Sequence, residues 1–278
     1  MKVKYLILGS GQLGQELINL LNNENMAYTY HKSDPFNKGI ALDVTNFDLL
    51  EDIIIKTMPD VIINTVAITD VDGCEINKKS ALKVNAEAVK HIVRASRVIG
   101  SYLIHISTDY VFDGTKGFYK ESDEPNPINY YGLTKLLGES YALSYDDSLV
   151  VRTSGVFSYK GFIPFAISRL KEGKEINAFK GFYSPISAKK LAQAILELSE
   201  KRKSGIINVA GERISRVELV KRIADILNIK NTIINEVDNV DSWVAKRPYD
   251  SSLNLEKAKN LLSFDFYSIN ENIKTVVR

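Results

Sequence analysis

The stretch VKYLILGSGQLGQELINLL, residues 3–21, reads as three consecutive pieces of backbone. Val3 to Leu8 is a short apolar run without helical period, whereas Leu17, Leu20 and Leu21 recur at helical spacing. That pattern predicts a strand, a turn and a helix. In the turn, Gly9, Gly11 and Gly14 fall in the spacing G-x-G-x-x-G. Glycines at those positions let the chain turn tightly and bring backbone amides at the helix N-terminus up to a pyrophosphate. Gly9, Ser10, Gly11, Gln12, Leu13 and Gly14 are therefore expected to bind a dinucleotide.

The same alternation continues outward. Residues 26–31, 60–67, 101–107 and 148–154 read as further strands, and 46–57, 78–100 and 128–145 as helices between them. Repeated βα units with continuous apolar strands predict an α/β fold, a Rossmann-type doubly wound parallel sheet with helices on both faces. Residues 1–155 are expected to form the dinucleotide-binding domain. Residues 156–278, with helices near 162–172, 188–201 and 215–228 and a strand at 205–210, are expected to form mainly a smaller C-terminal substrate-binding region, part of which is free to return to the sheet.

Bulk properties narrow the function. The 278 residues carry 36 basic and 34 acidic side chains, a net charge of +2, so there is no electrostatic footprint of a nucleic-acid binder. The apolar part of the N-terminus is too short for a secretory core or a membrane span, which points to a cytoplasmic protein. One cysteine, Cys74, excludes an intrachain disulfide and a cysteine-rich zinc site, and His31, His91 and His105 have no metal-ligand spacing.

The second strand ends in His31-Lys32-Ser33, with Asp34 following. A cation there accepts a ribose 2′-phosphate and an acid binds the 2′-hydroxyl, so Lys32 favours NADP(H) while Asp34 leaves NAD(H) open. Lys32 also reads as an ordinary surface lysine. Asp43 and Val44 precede a helix and either cap it, with Thr45 or Asn46, or reach the adenine. Ser107 to Gly114, STDYVFDG, lies past the carboxyl end of the fourth strand, where open sheets bind ligands. On the next helix Tyr131 and Lys135 stand at i and i+4, on one face, while Tyr130 is turned away.

A dinucleotide loop, a hydroxyl at the end of strand four and Tyr-x-x-x-Lys on the next helix resemble the extended branch of the short-chain dehydrogenase/reductase family. GSGQLGQEL, DVT at 43–45, VDGCE at 71–75, STDYVFDG, YYGLTKLLGE and KRPYDSSLN at 246–254 further resemble the dTDP-4-dehydrorhamnose reductase family, almost along the whole chain. The resemblance implies an NADP(H)-linked reductase of a nucleotide-linked 4-keto-6-deoxysugar. It implies a pyrophosphate held by Gly11, Gln12 and Leu13, adenosine beside Asp43 and Val44, and a cofactor lined by Val66, Ala67 and Ile68. Thr108, Tyr131 and Lys135 match the family's catalytic set, with Asp109 and Tyr110 nearer the sugar, and Arg247 and Ser251 near the nucleotide diphosphate. A homodimer is a fair expectation for the family.

Two positions depart from the family pattern. Gly155 stands where RTSWVY has an aromatic, which implies a sugar pocket without that wall, and Ile68 replaces the usual Tyr or His. Carboxylates that hold magnesium in some relatives have no match near Lys189 and Lys190, so no metal is expected. Two alternatives share the resemblance: a non-catalytic subunit like the regulatory subunit of methionine adenosyltransferase, and an epimerase or dehydratase using Asp109 as its acid.

Overall fold

A computed structural model describes residues 4–21, 25–238 and 243–277; Val3, read above as the start of the first strand, lies outside them. In chain order the elements are β1 (Tyr5–Leu8), α1 (Gln12–Leu20), β2 (Met26–Tyr30), β3 (Ile40–Ala41), α2 (Phe47–Thr57), β4 (Val61–Asn64), α3 (Val71–Ile76), α4 (Lys78–Leu82), α5 (Ala88–Ile99), β5 (Tyr102–Thr108), α6 (Tyr130–Leu143) and β6 (Ser148–Thr153). They continue with α7 (Phe162–Lys171), β7 (Ile176–Phe179), β8 (Phe182–Tyr183), α8 (Ala188–Lys201), β9 (Gly205–Asn208), β10 (Ile214–Ser215), α9 (Arg216–Ile226), β11 (Ile234–Val237), α10 (Glu256–Leu261) and α11 (Ile269–Lys274).

Seven strands form one parallel sheet in the order β3-β2-β1-β4-β5-β6-β9. Alternate side chains face opposite layers. Tyr5 and Ile7 pack with Leu13 and Leu17 of α1 and Leu191 and Ile195 of α8, whereas Leu6 and Leu8 pack with Ile53 and Ile54 of α2 and Val89 and Ile92 of α5. Burial on both faces explains why these strands read as unbroken apolar runs. The chain leaves β1 toward β2 on one side and later returns to place β4 on the other. Ligands bind at such a switch point, outside the carboxyl ends of the strands.

Part of the C-terminal half belongs to this sheet: α8 packs on α1, and β9 pairs with β6 as the seventh strand. The remainder builds a second core from α7, α9 and α11 around Phe157, Ile163, Leu219, Ile223 and Ile269. Two small sheets, β7 with β11 and β8 with β10, complete it. The long helix read over 78–100 is interrupted. Lys83–Glu87 form a π-helical turn between α4 and α5, and it holds Asn85 against the end of β4. Such turns accommodate one extra residue per turn and re-aim a side chain.

Candidate active site

The glycine loop has the shape its spacing predicts. A Cβ on Gly14 would lie 2.1 Å from the Gly9 carbonyl oxygen, so only glycine lets α1 approach β1 this closely. Around Gly11 a Cβ would meet nothing within 4 Å, and α1 starts without a side-chain cap or an acid in its first turn. Unpaired amides facing open space at a positive helix end suit a phosphate, so these residues fit a dinucleotide pyrophosphate. The Gln12 side chain is engaged within the protein. Its Oε1 accepts hydrogen bonds from the Ser158 and Lys160 amides, both at 2.9 Å, and so pins the loop before α7 across the turn.

At the end of β2, Asp34 is committed to its own loop. It accepts from the Tyr28 hydroxyl at 2.6 Å, from the Gly39 amide at 2.7 Å and from the Phe36 amide at 3.1 Å. His31, Lys32 and Ser33 are exposed, and His31 lies 3.9 Å from Asp43. Asp43 accepts from the Thr45 amide and hydroxyl, while Asn46 caps α2. Val66 and Val44 pack in the core under the sheet. Ile68 is fixed through its backbone, its N–H donating to Asn85 Oδ1 at 2.8 Å and its carbonyl accepting from Asn85 Nδ2 at 3.1 Å.

A cavity of about 540 Å³ opens along the carboxyl edge of the sheet. Gly11, Gln12, Leu13, Gly14 and Ala67 line it together with Thr108, Asp109, Tyr110, Tyr131 and Lys135. Asn129 starts α6 by accepting from the Gly132 amide at 2.8 Å, and the helix then turns Tyr131 and Lys135 inward together. Burial raises the Tyr131 phenol well above its ordinary range, and the Thr108 hydroxyl that hydrogen-bonds it opposes this only in part. The Lys135 ammonium is not hydrogen-bonded to that phenol. Its Nζ donates to the Ile106 carbonyl at 2.6 Å, and burial lowers its pKa to about 8. The phenol is therefore held protonated.

Two oxygens of Asp109 are occupied by this chain's own hydroxyls. Oδ1 accepts from Thr108 at 3.0 Å, and Oδ2 accepts from Ser154 at 2.7 Å and from Ser251 at 2.5 Å. Ser251 is thereby drawn inward, and Arg247 is bound to Asp72 through two bonds of 3.1 and 2.8 Å. Another cation, unnoticed in the sequence, faces the same cavity. Arg216, at the start of α9, lies over the rings of Phe162 and Tyr183 and has no carboxylate partner among the described residues. An aromatic of another element stands beside Gly155. The Tyr183 ring stands where a Cβ at 155 would come within 2.7 Å of it, and Gly155 has φ +49°. Beneath the site Glu139 binds Arg152 at 2.9 and 2.7 Å and accepts from Ser107 at 2.5 Å, a buried pair that the sequence alone did not reveal.

The model of the family described as RmlD substrate binding domain matches residues 3–278. The chain belongs to the dTDP-4-dehydrorhamnose reductase family of NAD(P)-dependent oxidoreductases. It is 34% identical to a dTDP-4-dehydrorhamnose reductase of Aggregatibacter actinomycetemcomitans, over 91% of each chain. The crystal structure of a hypothetical dTDP-4-dehydrorhamnose reductase from Sulfolobus tokodaii is 58% identical, covers 99% of this chain and all of its own, and superposes with a TM-score of 0.95. The Bacillus anthracis dTDP-4-dehydrorhamnose reductase, solved in complex with NADP, is 28% identical with a TM-score of 0.87 and coverage of 99% and 98%. Within this family the cavity is a candidate for cofactor and sugar nucleotide together. Among the described residues no cluster of His, Cys, Asp and Glu could hold a metal ion, and no helix is long and apolar enough to cross a membrane.

Proposed function

We propose that this enzyme reduces the 4-keto group of dTDP-4-dehydrorhamnose to dTDP-rhamnose with NADPH. The observation that carries the reading is the convergence of the glycine loop with Thr108, Tyr131 and Lys135 on one cavity of about 540 Å³. When bound, the reduced nicotinamide supplies hydride to the carbonyl carbon. Tyr131 donates its proton to the carbonyl oxygen, a role suited to a phenol that burial keeps protonated. Thr108 orients the same oxygen and stabilises charge developing on it. Lys135, buried beside the site, anchors the nicotinamide ribose and supplies positive charge below its lowered pKa of about 8.

Cofactor choice follows from the end of β2. With both oxygens of Asp34 engaged by Tyr28, Phe36 and Gly39, that acid is not offered to a ribose 2′-hydroxyl, while Lys32 remains exposed to meet a 2′-phosphate. Arg216 is the cation for the diphosphate of the sugar nucleotide, since Arg247 is already neutralised by Asp72. The test is loss of NADPH absorbance on adding dTDP-4-dehydrorhamnose, with the sugar product identified by NMR. Stoichiometric formation of dTDP-rhamnose is expected; NADPH binding without oxidation by this sugar would remove the substrate assignment.

A further inference from the structure

Asp109 has no part in the chemistry above, yet it is 3% exposed at the centre of the site. No cation pairs with it among the described residues; its partners are the hydroxyls of Thr108, Ser154 and Ser251, from β5, the end of β6 and the C-terminal segment. An ionised carboxylate only accepts, so it dictates where those three protons point. Thr108 has one proton. While Oδ1 of Asp109 takes it, the hydroxyl can only accept, as it does from the Tyr110 amide at 3.2 Å. In that state Thr108 has nothing to donate to a carbonyl oxygen.

We propose that Asp109 is a positioning residue whose protonation state switches Thr108 between facing the protein and facing the substrate oxygen. This rests on the reductase reading. A proton from solvent on Oδ1 reverses the bond: the carboxyl donates to Thr108 Oγ1, and the threonine's own proton turns toward the substrate. Ser154 and Ser251 continue to donate to Oδ2, and no covalent bond other than that of the added proton changes. The groups around Asp109 are Tyr110 beside it, Tyr131 from α6 and Tyr183 from β8, all held neutral by burial, with Arg216, Arg247 and Asp72 farther out around Tyr110. Burial lifts the Asp109 carboxyl to about 6 against the pull of its three hydroxyl donors, which puts the switch near neutral pH.

The experiment is kcat against pH from 5 to 8.5 for the wild type, Asp109→Asn and Ser251→Ala. Losing one donor to a developing oxyanion costs about 100-fold, so wild-type kcat should fall toward a plateau of that order as pH rises through about 6. Asp109→Asn, whose amide can donate to Thr108 at any pH, should be flat near the acid plateau. Ser251→Ala, which removes a donor to the carboxylate, should shift the step upward in pH. A wild type without the step, or Asp109→Asn that keeps it, overturns the proposal. Independently of any substrate, NMR titration of ¹³C-labelled aspartate carboxyls should show the Asp109 midpoint higher in Thr108→Val than in the wild type. An unchanged midpoint would sink the coupling even if the reductase assignment stood, and a shifted midpoint without turnover would sink only the assignment.

Discussion

Tyr131 and Lys135 are legible in the sequence because a helix brings i and i+4 to one face, but their protonation is not, because it depends on what buries them. In the fold the Lys135 ammonium turns to the Ile106 carbonyl, and desolvation dominates the phenol. Glu139 and Arg152 are illegible for the same reason. Each is an ordinary charged residue until β6 and α6 bury both, at 1% exposure each. Removing one partner of such a pair leaves an unpaired buried charge, so Glu139→Ala should cost about 3–5 kcal/mol in denaturant unfolding. A Glu139→Leu/Arg152→Met double variant should recover much of that loss. Asp109 makes a separate prediction about pH. Its folded pKa, about 6, lies above its unfolded value, so its contribution to stability is full below about pH 4 and is lost as pH rises through about 6. Asp109→Asn should remove that part of the pH dependence of unfolding, seen as a flatter stability curve between those limits.

At the level of elements, β1, its glycine turn and α1 follow from the sequence because local pattern and tertiary packing agree there. Gly14→Ala places a methyl group 2.1 Å from a backbone oxygen. It should destabilise the fold by about 1–3 kcal/mol through overpacking and weaken NADPH binding, measured together by unfolding and by fluorescence titration. The π-helical turn at Lys83–Glu87 was invisible because its residues fit an unbroken helix; what selects it is Asn85 satisfying both backbone groups of Ile68 and bonding Thr134 at 3.1 Å. Asn85→Ala should cost about 1–3 kcal/mol by leaving those groups unpaired. The short strands β8 and β10, two residues each, carry too little pattern to be read, and they form because Tyr183 and Ile214 pair across a ladder set by the packing around them. That pairing also puts the Tyr183 ring beside Gly155, an exchange of walls that residue 155 alone could not disclose.

Across the whole molecule, the chain runs twice past the cavity: once as the strand ends of the sheet, and again as the segment that carries Arg247 and Ser251 back to Asp72 and Asp109. The first pass was legible from repeating βα units, whereas the second depends on contacts more than 140 residues apart in the chain. Because the proposed cofactor site spans the edge of the main sheet, ligand binding should stabilise the entire cooperative unit. At 100 times its dissociation constant NADPH should add about 2.7 kcal/mol, and at equal concentration it should raise Tm more than NADH does. A larger shift with NADH would reverse the assignment of Lys32 and Asp34. The central claim is that Tyr131 gives the proton that completes hydride transfer. It is tested most directly by single-turnover oxidation of bound NADPH with dTDP-4-dehydrorhamnose in the wild type and Tyr131→Phe. The transfer rate should fall by about 10²–10⁴-fold with NADPH affinity unchanged; a Tyr131→Phe enzyme that transfers hydride at the wild-type rate would contradict the account.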